Sequence, residues 1–148
     1  LYRHFASKAQ MFDGLIEFIE SSIFSLLNQI AEREPSGLAQ AQRIVAVLLQ
    51  FGERNPGMCR VMVGDALVYE NERLVARMNQ FFDKIEAALR QALRHAAEDS
   101  GSITPTVEAQ AQASVLVSFV IGRLQRYARS GFKRMPTEQL DAALRMLG

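Results

Sequence analysis

Cysteine is almost absent from this chain: Cys59 stands alone among 148 residues. One thiol closes no internal disulfide and fits a reducing compartment. The fold must therefore hold by packing, and a chain of this length buries about two-thirds of its unfolded surface without a staple. Histidine is nearly as scarce. His4 and His95 lie far apart, so with one cysteine there is no ligand set at zinc spacing. No serine sits in a Gly-x-Ser-x-Gly elbow, and no glycine-rich loop cradles a phosphate. An excess of either charge is also missing. The formal net charge is +1, so the body as a whole is no polyanion binder, and nucleic-acid contact falls to a local patch or an upstream segment. The longest uncharged run, Ala109 to Gly122, is too short and too rich in Ser, Gln and Ala to span a bilayer. The period-two alternation of strands is lacking, as are repeats and low-complexity tracts.

Helical periodicity is present throughout. Ser7-Lys8-Ala9-Gln10 has the spacing of a capping box. Behind it Phe12, Leu15/Ile16, Ile19, Ile23, Leu26/Leu27 and Ile30 predict a first helix that ends at Glu34-Pro35-Ser36-Gly37. A second helix, about Leu38 to Glu53, is apolar on most sides and belongs at the centre of the core. Asn55 then reads as an N-cap and Pro56 as the first residue of a short third helix, to about Leu67. A fourth runs from about Asn71 to Ala97 on Leu74, Met78, Phe81/Phe82, Ile85, Leu89, Leu93 and Ala96, with Glu86 and Arg90 as an i,i+4 pair. A fifth runs from Thr104-Pro105 or Thr106 to about Ser130. Val107, Ala111, Val115, Phe119 and Leu124 mark one side, and Gln110, Ser114, Ser118 and Gly122 form a stripe of small residues. A sixth, about Thr137 to Leu147, carries Leu140, Leu144 and Leu147. The fold class is all-α, with about six helices. The last two expose too much apolar surface for the edge of a monomer, which points to a four-helix bundle with a second copy; the alternative is that they close the monomer's own core.

Catalytic chemistry finds no foothold. Glu17 with Glu20, Glu32 with Glu34, and Glu70 with Glu72 read as solvated faces or helix ends. Cys59, among apolar neighbours, reads as a small core residue. The reading is a non-enzyme with no cofactor. Arg123, Arg126, Arg129, Lys133 and Arg134 form a basic cluster whose simplest role is to complement a helix C-terminus and aid solubility, the alternative being contact with a ligand or nucleic acid. The methionines and Phe81/Phe82 either line a small-molecule cavity or form ordinary core.

The opening stretch, Leu1-Tyr2-Arg3-His4-Phe5 with Ser7-Lys8, resembles the end of the recognition helix in TetR-family regulators followed by their first core-domain helix. The helix order matches that family along the whole chain. The resemblance implies that residues 1–6 end a helix-turn-helix headpiece, that more chain precedes them, and that residues 7–148 form a helical dimerisation and regulatory domain. It implies a homodimer and a cytoplasmic, nucleoid-associated protein that binds DNA. Tyr2, His4 and Lys8 would be DNA contacts that position the protein on phosphates, and Phe5 a core plug.

A narrower similarity is to the nucleoid-occlusion branch of that family. It is carried by Met11-Phe12-Asp13, Leu15 to Glu20, Phe51-Gly52-Glu53-Arg54-Asn55-Pro56-Gly57, and Phe132-Lys133 with Pro136-Thr137. This implies inhibition of FtsZ-driven division over the chromosome. It also implies a groove between the first two helices that takes the FtsZ C-terminal tail, with Phe18, Arg54 and Asn55 as its residues. An apolar anchor, an Arg and an amide suit a peptide with acidic and apolar groups. Leu26 and Gln50 depart from that branch, which carries a basic residue and a glycine there. The rival within the family is a ligand-gated repressor with a small-molecule effector.

Overall fold

The computed structural model describes residues 2–68 and 72–147, with side chains from Lys8 onward. Among the described residues the regular structure is helical: α1 (Tyr2–Arg33), α2 (Gly37–Arg54), α3 (Pro56–Met62), a 3-10 turn (Asp65–Leu67), α4 (Glu72–Asp99), α5 (Pro105–Arg129) and α6 (Leu140–Leu147). Glu70 and Asn71, read from the sequence as part of the approach to α4, lie outside the described residues.

Helix α1 buries Phe12, Ile16, Ile19, Ile23, Leu27 and Ile30, the expected stripe, while Leu26 turns outward. The capping box is not formed. The helix passes Ser7 without a break, because its backbone is already helical from Tyr2. Ser36 begins α2, its Oγ accepting the Ala39 N–H at 3.3 Å. Ala41, Ile44, Val45, Leu48 and Leu49 are buried along α2, which packs against α4, α5 and α1. Glycines at both ends permit its close approach. A Cβ on Gly37 would overlap the Ala92 carbonyl oxygen of α4, and one on Gly52 would overlap the Leu124 side chain of α5.

Three boundaries differ from the periodicity, each for a local reason. Helix α3 stops at Met62 because Gly64 takes a left-handed conformation, φ +88°, and the chain re-forms only as a 3-10 turn. Helix α6 starts at Leu140 rather than near Thr137. Arg123 takes the carbonyls of Pro136 and Glu138, and Gln139 is left-handed at φ +53°, so residues 136–139 form turns and the α-helix begins only after them. Asn55 makes no side-chain cap for α3; its Nδ2 instead donates to the Phe51 carbonyl at 2.8 Å and closes the end of α2. On α4, the i,i+4 ion pair among the described residues is Arg94–Glu98 at 3.3 Å, not Glu86–Arg90.

The inward face of α5 is also not the expected one. Ala109, Ala113, Leu116, Val117, Val120, Leu124 and Tyr127 are buried, whereas Val107 is 65% and Val115 49% exposed. Gln110, Ala111, Ser114, Ser118 and Gly122 share that outward side.

An ionic cluster ties α1 to the start of α4. Arg73 donates to both Asp13 oxygens, at 3.0 and 2.7 Å, and Arg77 bridges Asp13 at 3.1 Å and Glu20 at 2.8 Å. The Arg73 hydrogen bonds, outweighing burial, hold the Asp13 carboxyl below the ordinary carboxylate range.

Two measurements test this packing. Gly37→Ala lowers unfolding stability by about 1–3 kcal/mol, the cost of an overpacked site, while Gly14→Ala, where nothing lies within 4 Å of the added carbon, raises it by about 0.5–1 kcal/mol through helix propensity. In the second, the folded-state pKa of Asp13 is the lowered one. Its contribution is therefore present above about pH 4 and lost as pH falls through the lowered value. Chemical denaturation shows wild type more stable than Asp13→Asn at neutral pH, and the gap closes on acidification. It also shrinks with salt, because the pair is partly exposed.

Candidate functional site

The candidate partner site is the groove between α1 and α2. Its wall on α1 carries Phe18, Leu26, Gln29 and Arg33, spaced to lie along one side of a helix. Its wall on α2 carries Arg43, Val47, Phe51 and Arg54. Phe18 is 49% exposed yet stands against Phe51, ring centroids 6.4 Å apart at 34°. At the other end Leu26, Gln29, Ile30, Arg33, Glu34, Arg43 and Val47 line a shallow pocket of about 110 Å³. The groove is thus an apolar trough with a predominantly basic rim. Glu34 reaches Arg43 only at 3.8 Å. Arg54 is exposed and makes no hydrogen bond or ion pair with another described residue.

Of the residues expected here, Phe18 faces Phe51 of α2, and exposed Arg54 follows Phe51 by three residues on that helix. Asn55 is half-buried next to Arg54, its Nδ2 donating to the Phe51 carbonyl. Leu26, one of the two departures from the branch, adds apolar wall, and Gln50, the other, is exposed one turn before Arg54. Phe51, Val47 and Arg43 were not anticipated. Their signal was the spacing 43, 47, 51, 54 on a helix whose opposite sides are buried.

The side chains of Tyr2, His4 and Phe5 lie outside the described residues. Lys8 is exposed in the second turn of α1. It is therefore not beside free helix-terminal N–H groups, and any phosphate contact it makes rests on its ammonium alone.

Other candidates resolve structurally. Cys59 is fully buried, its Sγ–H directed to the Leu124 carbonyl at 3.5 Å; burial, with Asp65 nearby, pushes the thiol up to about 11. It stays protonated at neutral pH and is a core residue. Three of the basic cluster's side chains bind their own chain: Arg123 takes the Pro136 and Glu138 carbonyls, and Arg126 and Arg134 reach the Glu138 carboxylate at 2.7 and 2.6 Å. Phe81 is fully buried between Phe24 and Phe82, at 5.5 and 5.1 Å. Between α2, α4, α5 and α6 the free space is about 20 Å³. A wider cleft of about 410 Å³, partly open, lies between α1, α2 and α4 beside Lys84, Gln91 and His95. Among the described residues no three His, Cys, Asp or Glu side chains gather as a metal set, and no helix is long and apolar enough to cross a membrane.

Comparison with known proteins bears on this geometry. Residues 35–148 match the SlmA-like family described as "Tetracyclin repressor-like, C-terminal domain". The nucleoid occlusion factor SlmA of Colwellia psychrerythraea is 49% identical over 141 residues, 95% of this chain and 71% of that protein. Those of Vibrio vulnificus and Vibrio cholerae are each 48% identical over 141 residues, again 95% and 71% of the two chains.

Proposed function

This chain belongs to the tetracycline-repressor-like family of SlmA nucleoid occlusion factors, and from that premise we propose that it blocks FtsZ-driven division over the chromosome. It binds DNA through a helix-turn-helix headpiece that ends in residues 1–6. Residues 7–148 form the body that dimerises and captures the C-terminal tail of FtsZ. Its place is the cytoplasm, on the nucleoid. It works by holding a partner rather than by turning over a substrate.

One observation carries the partner assignment: a half-exposed phenylalanine is held against a second ring beside an exposed arginine. Burying a ring of this kind stabilises a complex by about 1.5–3 kcal/mol. The arginine supplies a fork for a carboxylate. Phe18 is the apolar anchor, Arg54 the carboxylate ligand, and Asn55 offers its amide oxygen to a peptide N–H. Leu26 and Val47 extend the apolar trough, so the tail uses an apolar side chain where the rest of the branch uses charge. Tyr2, His4 and Lys8 hold DNA phosphates and set orientation, and Phe5 plugs the join.

The ligand-gated alternative has less support. The relatives are named for nucleoid occlusion.

The outward face of α5 supports dimerisation with α6. Gly122 has nothing within 4 Å of a would-be Cβ, in line with exposed Ser118 and Ser114. Small residues let a second α5 approach closely and bury Val107 and Val115. Sedimentation should give a mass twice the 16.6 kDa of the chain. Gly122→Glu shifts it toward the monomer without unfolding it. A wild-type mass that stays monomeric at every concentration removes the dimer.

For the partner, co-sedimentation with FtsZ polymers in the presence of operator DNA retains the wild-type protein. Arg54→Ala weakens capture about 10-fold, the scale of a lost charged hydrogen bond of about 1.5 kcal/mol, with DNA affinity and thermal stability unchanged. Loss of DNA affinity with capture intact would overturn the role of Arg54.

A further inference from the structure

Helix α5 ends in a turn that does more than stop a helix. Gly131, left-handed at φ +67°, lets its N–H reach the Ala128 carbonyl at 3.2 Å and the Phe132 N–H reach the Tyr127 carbonyl at 2.9 Å, a Schellman closure. Phe132 is also left-handed, at φ +64°, a conformation disfavoured outside glycine. It places its ring edge-on to Tyr127, centroids 5.1 Å apart. Tyr127 is buried, and its hydroxyl donates to the Glu53 carbonyl at 2.8 Å, in the last turn of α2. The chain then folds back, with the Ser130 hydroxyl accepting the N–H groups of Lys133 and Arg134 at 3.2 and 2.9 Å. Three arginines hold the returning strand of backbone: Arg123 takes two carbonyls, and Arg126 and Arg134 share Glu138. In that position the Thr137 hydroxyl donates to the Glu53 carboxylate at 2.5 Å.

Two groups remote in sequence from Glu53 thus grip it, Tyr127 on its backbone and Thr137 on its side chain. Glu53 is followed directly by Arg54 and Asn55. The neighbouring carbonyls are engaged too, Gly52 by the Asn55 N–H at 3.3 Å and Phe51 by Asn55 Nδ2. Helix ends ordinarily leave such carbonyls to water and fray. Here the end is held by the segment that follows α5, which also packs Phe132 against the core.

We infer that residues 131–139 form a latch that holds the end of α2 in its partner-binding conformation, with Thr137 a positioning residue acting through Glu53. A groove residue ordered beforehand costs less to immobilise on binding. The inference rests on the α1–α2 groove being the partner site. It gives the Phe132-Lys133 and Pro136-Thr137 pairs a role in capture although they lie outside the groove.

The test uses the intact protein carrying Thr137→Val, which keeps the shape and removes the hydroxyl, with Thr137→Ser as rescue. Two readouts are taken: amide hydrogen exchange over residues 52–55, and anisotropy of a labelled synthetic FtsZ C-terminal peptide. Thr137→Val speeds exchange there and weakens peptide binding about five-fold, the scale of one hydrogen bond. Its melting temperature falls by no more than a few degrees, the cost of one hydrogen bond, its DNA affinity stays at the wild-type value, and Thr137→Ser restores both readouts. Unchanged exchange overturns the latch whatever the peptide does. Faster exchange with unchanged peptide affinity, while Arg54→Ala still weakens binding, overturns the positioning role and leaves the groove standing. Peptide binding that neither variant alters removes the groove reading, and with it the role in capture.

Discussion

The interaction on which the rest depends is the enclosure of α2. Its backbone meets the Ala92 carbonyl of α4 at Gly37 and the Leu124 side chain of α5 at Gly52, with room for no methyl at either end. A helix held this closely at both ends has little freedom to slide or rotate. Its buried line of Ala41, Ile44, Val45, Leu48 and Leu49 then sets where the other helices lie. Helix α1 covers only one of its sides, so a trough remains along their shared edge. Helix α5 spends its inward face on α2 and α4 and keeps its other face for a second surface. Both candidate interfaces follow from one packing decision.

The all-α class and the order of helices were legible because the apolar spacing of α1, α2 and α4 is regular and their breakers are strong. Less was legible where apolar residues surround a helix. On α5, Val107, Ala111 and Val115 recur as convincingly as Ala109, Ala113 and Leu116, and only the packed neighbours decide which set is inside. Leu26 and Leu27 pose the same problem in miniature, adjacent and equally apolar, with one outside and one in. Local chemistry misled at Ser7 and Asn55. Both are good caps in isolation, but Ser7 lies within a helix begun at Tyr2, and Asn55 serves the helix behind it rather than the one ahead.

The candidate site divides the same way. Resemblance pointed to Phe18, Arg54 and Asn55; Phe18 stands against Phe51, and Arg54 and Asn55 follow Phe51 at the end of α2. Phe51 left a signal in the helical spacing of α2, whereas Glu53 was beyond reach, since its importance lies in its contact with Thr137, remote in sequence. The basic cluster of α5 shows the converse. Five cations close in sequence suggest a polyanion, yet Arg123, Arg126 and Arg134 are occupied within the chain by Glu138 and two carbonyls. Burial and the adjacent Arg126 lower the affinity of Arg123 for its proton, and the Glu138 carboxylate opposes this.

The central claim is that the partner lies along α1 and α2. Hydrogen-exchange footprinting of the DNA-bound protein, with and without the FtsZ C-terminal peptide, tests it most directly. The account predicts new protection over residues 18–33 and 43–55, with α5 and α6 unchanged. Protection confined to the outward face of α5, or none on the walls of the groove at saturating peptide, would contradict it.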